Sequence, residues 1–321
     1  MSAAWTSIVS NFPLLVKYLA LYGIVLLLVA MGGMWSEHSG IINIALEGIM
    51  TIGAVAGALM LCVMPADAKR IWIIVLPILV ACAAGVAYSA LLAFASINLK
   101  ADQTIGGTAL NLMGTALALV LVKNYNLTHV GNQSPKLAYS NAAYIFNFGP
   151  YKINVFLFIG LALLIISYLL MYKTKFGLRL RACGEHPQAA DSVGINVYKM
   201  RWSGVLISGF LGGLGGFAYI VPSVSIWNFE QGVAGMGFLA LAVMIFGQWR
   251  PFLIFFCALF FAFFKSIADI YDIYPFLKAL SLSKEVYRML PFIASLIVLA
   301  FTSKKSKAPK AEGIPYDKGQ R

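Results

Sequence analysis

Charge is what this sequence has least of. Of 321 residues 12 are acidic and 24 basic, 11% charged in all, against roughly a quarter in soluble domains. Polar stretches are scarce too: none exceeds about thirty residues, short of the roughly 50 that the smallest independent domains need. That leaves no room for a soluble catalytic or ATP-hydrolysing domain. No glycine-rich loop ending in Gly-Lys-Ser/Thr occurs, so the chain has no phosphate-binding loop of its own. The three histidines, His38, His129 and His186, are scattered, and neither a His-Glu-x-x-His nor a Gly-x-Ser-x-Gly run is present. Cys62, Cys82 and Cys257 lie in apolar runs and Cys183 in a basic one. Their spacing fits neither a disulfide framework nor a metal site. These absences argue against an enzyme.

What is present is hydrocarbon. Sixty per cent of residues are hydrophobic and the mean hydropathy is +0.83. Several runs reach the roughly 20 apolar residues needed to cross a bilayer. The expected fold is all-α, a polytopic membrane helix bundle with about nine spans, eight to ten allowing for boundary error. They fall at roughly 14–32, 41–64, 71–97, 104–122, 153–172, 202–222, 234–249, 251–274 and 285–302. The short, glycine-punctuated 234–249 segment is a candidate re-entrant or broken element. The N-terminal run lacks a basic flank and a small-residue cleavage site, and reads as a retained span.

The net charge of +12 has a membrane explanation and does not point to nucleic acid. Lys and Arg concentrate in loop 173–201 and in tail 303–321, which marks both as cytosolic by positive-inside bias. Tracing back places the N-terminus and the 123–152 loop outside. Lys69 and Arg70 then fall outside as well, a minor violation.

Loop 173–201 is a polar island with six basic residues, Lys173, Lys175, Arg179, Arg181, Lys199 and Arg201. Within it Pro187 suits a first helical position and Gly194 suits the residue just past a helix end. The short helix between them, on the order of 10 Å long, carries Ala189, Ala190 and Val193 at spacings that share a face. It reads either as a docking knob or as a helical kink.

Polar residues inside spans are few. Asn43 and Glu47 lie four apart on one helical face, and Lys265 and Asp269 repeat the spacing. An intramembrane charge costs about 2.5–3.5 kcal/mol on insertion scales, so such residues face the bundle interior or a cavity. Lys265 and Asp269 either neutralise each other or line a pathway. Glycines at 106, 107 and 114, and at 212, 213, 215 and 216, suit close helix packing. Segment 41–53 faintly echoes 235–247, Met50 and Gly53 matching Met244 and Gly247, as a repeated half of a transporter would.

Four ordered blocks carry a resemblance. Ser39-Gly40-Ile41-Ile42-Asn43-Ile44-Ala45-Leu46-Glu47-Gly48-Ile49-Met50 resembles the Gly-x-x-Asn-x-x-x-Glu-Gly-x-Met signature of nucleoside and simple-sugar ABC importer permeases. Phe176 to Ala182, with Gly184-Glu185-His186-Pro187-Gln188-Ala189-Ala190 and Gly194-Ile195, is similar to that family's coupling segment. Gly237 to Ala242 with Phe246, Gly247 and Trp249, and then Met289-Leu290-Pro291-Phe292, complete the set. Two departures stand out: His186 occupies a position where Asn is usual, and Phe260 to Lys265 replaces a Gly- and Leu-rich stretch. The second leaves substrate specificity open.

The resemblance implies a single transmembrane permease domain over 1–321 in a bacterial inner membrane, N-terminus outside and C-terminus cytosolic. It implies a separate ABC ATPase, or one double-cassette ATPase, that binds ATP and Mg, with no cofactor on this chain. A second, paralogous permease and a substrate-binding lipoprotein or periplasmic receptor complete the assembly. Residues 187–194 would form the coupling helix, with Gly184, Glu185, Pro187, Ala189, Ala190, Asp191 and Gly194 meeting the ATPase. Asn43, Glu47, Asn111, Lys265 and Asp269 would line the passage. Nucleosides are the preferred substrate and simple sugars the alternative. Outside the resemblance, an ion-coupled secondary transporter using Glu47 or the Lys265–Asp269 pair competes, as does a non-transporting membrane scaffold.

Overall fold

Long uninterrupted apolar sequence becomes long helix, because in lipid every backbone polar group needs an internal partner. The computed structural model describes residues 2–65, 67–274, 283, 286–287, 289–294, 296 and 308–318, with side chains from residue 11 onward except that of Phe148. The membrane-length helices are α1 (Ser2–His38), α2 (Leu46–Val63), α3 (Arg70–Ala93, prolonged by a π-helical turn over Phe94–Asn98) and α4 (Gln103–His129). After two short strands pairs are introduced by β1 (Lys136–Ala138), β2 (Ile145–Phe148) and β3 (Tyr151–Asn154), α5 (Val155–Lys173) follows. Next come α6 (Lys175–Glu185), α7 (Pro187–Ser192), α8 (Val197–Ile220), β4 (Ile226–Asn228), α9 (Met236–Phe246) and α10 (Pro251–Ile270).

Among the described residues seven helices are long and apolar enough to cross a membrane, matching seven of the nine expected spans. The expected 41–64 span is helical only from Leu46, and 234–249 contains only the 11-residue α9. Half of the ninth expected span, 285–302, lies outside the described residues. The 123–152 segment contains strand structure that the sequence reading did not assign: β1 pairs antiparallel with β4 and β2 with β3.

Contacts between elements fix the path. One end of the bundle gathers the start of α1 at Asn11, the strands, and Tyr274, whose hydroxyl donates to the Asn11 carbonyl at 3.4 Å. The opposite end gathers the end of α1, the α6–α7 segment and Trp249, whose indole donates to Glu37. The chain therefore enters α9 from the strand end and leaves it at the His38 end. This segment is a crossing made of irregular backbone plus a short helix, not a re-entrant loop. Tyr274 and tail 308–318 lie at opposite ends, so the described residues on either side of 285–302 differ in side.

Helix α8 is the axis of the bundle. Its span is 78% buried, against 28% for α3, α4 and α5, and it packs on α1, α2 and α3. Glycine makes the approach possible. A Cβ on Gly216 would sit 1.9 Å from the Met50 carbonyl oxygen, so any side chain there forces α8 and α2 apart.

The tail lies across the His38 end. The Ala311 amide donates to the Gly184 carbonyl at 2.8 Å, and the Gly313 amide to the Gly40 carbonyl at 3.2 Å. Arg201, 1% exposed, donates from Nη1 to the Ile314 carbonyl at 3.0 Å. Lys100 pairs with Asp317 at 3.0 Å. Glu312 hydrogen-bonds Glu37, and burial pushes its carboxyl up to about 7.

Two outcomes follow from this packing. Gly216→Val should destabilise the protein by about 1–3 kcal/mol through overpacking, whereas Gly106→Val, where a Cβ meets nothing within 4 Å, should not; thermal unfolding in detergent compares them. The docked tail binds a proton on Glu312 that a free tail, with a carboxyl near 4.5, would release. Docking should therefore be complete below about pH 4.5 and weaken as pH rises through about 7. Amide exchange at Ala311 and Gly313 should report this, and Glu312→Gln should flatten the pH dependence.

Candidate functional site

Two helices begin inside the bundle, and their exposed amides organise its polar residues. A helix leaves its first four N–H groups without intrahelical partners. For α2 the Gly48 amide donates to Asn111 Oδ1 at 2.7 Å, and Asn111 Nδ2 returns a bond to the Ile44 carbonyl at 2.8 Å. Just upstream, the Ile42 amide donates to Gln103 Oε1 at 2.7 Å. Asn43 Nδ2 donates to Ser208 Oγ at 2.8 Å, tying this broken segment to α8.

For α9 the capping group is Glu47. Its two oxygens accept from the Gly235 and Gly237 amides, each at 2.7 Å, which also places negative charge on the positive end of the helix. The approach needs glycine at 237, where a Cβ would lie 2.6 Å from the Glu47 backbone. Gly235 sits at φ +80°, a conformation that carries little penalty only without a side chain. Of the residues grouped as passage residues from sequence, Glu47 and Asn111 thus bond to broken helix ends, while Asn43 ties the segment before α2 to α8.

Lys265 and Asp269 occupy a different place. They face a cavity of about 530 Å³ bordered also by Tyr219, Gln231, Gly235 and Met236, a volume within the ~300–1,000 Å³ of small-molecule sites. Pro291 and Phe292, from the last sequence block, border it as well. Lys265 Nζ lies 3.3 Å from Asp269 and 5.4 Å from the Tyr22 ring centre. The Tyr22 hydroxyl donates to the same carboxylate. Tyr22, Tyr219 and Gln231 escaped the sequence reading. The tyrosines sit in apolar runs with no spacing cue, and Gln231 lies in what reads as a connection between spans.

The third candidate region is the α6–α7 segment. Thr174 caps α6 by accepting from the Gly177 amide at 3.2 Å. Pro187 opens α7, and Gly194 at φ +82° ends it, as the sequence signals require. The outward face differs from the expected one. Gly184, Pro187 and Ala190 are buried; Ala190 packs with Cys183, Val197 and Tyr316, and Gly184 lies against the His38 carbonyl, where a Cβ would come to 2.3 Å. Glu185, Ala189, Val193 and Gly194 are exposed and Asp191 is half-buried. Ala189 and Val193 therefore point away from Ala190, because the body of the protein claims one side of this six-residue helix. Val193, 74% exposed, is an outward residue absent from the expected contact set.

Comparison with known proteins agrees with this architecture. Residues 15–299 match the family described as "Branched-chain amino acid transport system / permease component". The chain is 37% identical to the guanosine ABC transporter permease protein NupQ of Bacillus subtilis, over 98% of this chain and 99% of that one. It is 37% identical to the nucleoside ABC transporter permease protein NupC of Lactococcus lactis, over 98% and 100%. It is 24% identical to the nucleoside ABC transporter permease protein NupB of the same organism, over 92% and 83%. No solved structure matches the chain.

The Glu47 cap has a measurable consequence. Glu47→Gln keeps one acceptor oxygen where two are used, and should cost about 1–2 kcal/mol. Glu47→Leu strands both the Gly235 and Gly237 amides and should cost more. Thermal unfolding in detergent should rank wild type above Gln above Leu.

Proposed function

The chain belongs to the permease-component family of branched-chain amino acid transport systems, an integral membrane family, and from that membership we propose that it is the permease subunit of an ATP-driven nucleoside importer. The observation that carries the substrate class is the 37% identity, along nearly the whole chain, to two permeases named for guanosine and for nucleosides. The cavity fits this reading. Its Lys265, Asp269, Gln231 and tyrosine groups offer donors and acceptors to ribose hydroxyls and base edges, beside the apolar Met236, Leu239 and Phe292. Asn43, Glu47 and Asn111 serve the passage by holding the broken helices that form it.

Energy comes from a separate ATPase, or a double-cassette one, which supplies the ATP and Mg chemistry. Basic loop 173–201 and the tail beside it form the cytosolic end by positive-inside bias, and the start of α1 lies outside. Helix α7 projects from the cytosolic end and sits in a groove of the ATPase, the helix-in-groove mode of recognition. Glu185, Ala189, Asp191, Val193 and Gly194 form its accessible face. Gly184, Pro187 and Ala190 set its position from beneath. Because α7 continues through Gly194 into α8, and α8 is the bundle axis, a push on α7 reaches the passage. A paralogous second permease is favoured by the similarity to both NupB and NupC of one organism. A lipoprotein or periplasmic receptor delivers substrate.

Val193→Arg places charge on the exposed tip of α7 without entering the core. It should leave membrane abundance unchanged and lower ATP-dependent guanosine uptake at least about tenfold, since hot-spot losses of this kind commonly exceed 1.4 kcal/mol. Intact uptake in this variant would refute α7 as the docking element. Uptake of ribose but not guanosine by the parent complex would support the sugar alternative.

A further inference from the structure

The described residues that border the cavity include one cation and one anion, Lys265 and Asp269, and each is the other's partner at 3.3 Å. Tyr22 adds a hydroxyl bond to the carboxylate and a ring face to the ammonium. Among the described residues the remaining source of charge at this wall is the positive end of α9, whose cap Gly235 and first residue Met236 border the same space. In other carriers such half-helix ends receive anionic substrate groups. Here that end already holds the Glu47 carboxylate. Every charge that the described residues bring to this wall is therefore answered from within the protein, and the face they present to a solute is net neutral.

We infer that the Lys265–Asp269–Tyr22 cluster is a specificity element of the passage: a charge-compensated wall that admits uncharged polar solutes and disfavours their ionised analogues. A neutral nucleoside meets amide, phenol and ring surfaces without displacing either member of the pair. An anionic analogue has to compete with Asp269 for Lys265, and a cationic one with Lys265 for Asp269. In a passage poorer in water than bulk solvent, the displaced partner is left without compensation. The inference rests on the reading that this cavity belongs to the nucleoside passage.

The test uses the complete transporter with its ATPase and receptor, and three probes: guanosine, its anionic 5′-carboxylic acid, and cationic 5′-amino-5′-deoxyguanosine. Uptake ratios are compared between variants with the same receptor, so receptor preference cancels. Asp269→Asn leaves the wall positive and should raise the anion-to-neutral ratio on the order of tenfold. Lys265→Met leaves it negative and should raise the cation-to-neutral ratio comparably. The double variant K265M/D269N should return both ratios to their starting values. Tyr22→Phe, which changes no formal charge, should raise the cation-to-neutral ratio to a smaller degree and covers the case in which a single charge variant is lost from the membrane. A purely structural pair would lower uptake of all three probes together with unchanged ratios, and that result would overturn the inference. A parent complex that takes up no guanosine would overturn the nucleoside reading first, so the two failures are distinguishable.

Discussion

The structure depends on satisfying helix ends that open inside a membrane bundle. A backbone amide in a dry interior has no water to turn to, and leaving it unmet costs several kcal/mol. Helices α2 and α9 both begin in this setting, and the protein answers with side chains from neighbouring helices: Asn111 for α2 and Glu47 for α9. Because the Glu47 that caps α9 stands in the first turn of α2, the two broken helices are locked to one another. Their relative position is thereby set by hydrogen bonds, which are directional, and not by apolar contact alone.

That arrangement divides the rare polar residues into two groups. Those on the α2 face are consumed in holding the broken helices, while Lys265 and Asp269 are left facing open space beside α9 and α10. Glycine on α8 complements this. Close backbone contact with α2 and α3 gives a dense axis, so the cavity forms where packing is looser, next to the short α9. The same axis joins directly, through Gly194, to the exposed α7.

Much of this was legible in the chain. Spans could be placed because hydrocarbon length and helix rise fix how many apolar residues cross a bilayer. The Pro187 and Gly194 boundaries of α7 could be placed because each residue has a backbone reason to be there. Asn43, Glu47 and Asn111 could be marked as inward-facing, but their task could not, since their partners lie 63 to 190 residues away. The outward face of α7 was misjudged for a related reason. Periodicity shows that Ala189, Ala190 and Val193 lie near one another, whereas only the tail's Tyr316 and the start of α8 show which side is already covered.

The sequence by itself determined that this is a polytopic helical membrane protein, and where most helices start and stop. Those properties are local, set by hydropathy, charge placement and backbone preference within a few residues. Tertiary structure decided the rest: that Glu47 is a helix cap, that Lys265 and Asp269 meet Tyr22 at a cavity, and that the tail lies across the end that bears α7. Each depends on which helices pack together, and in this chain the packing is settled by backbone approach at glycines and by long-range capping bonds that no local pattern records.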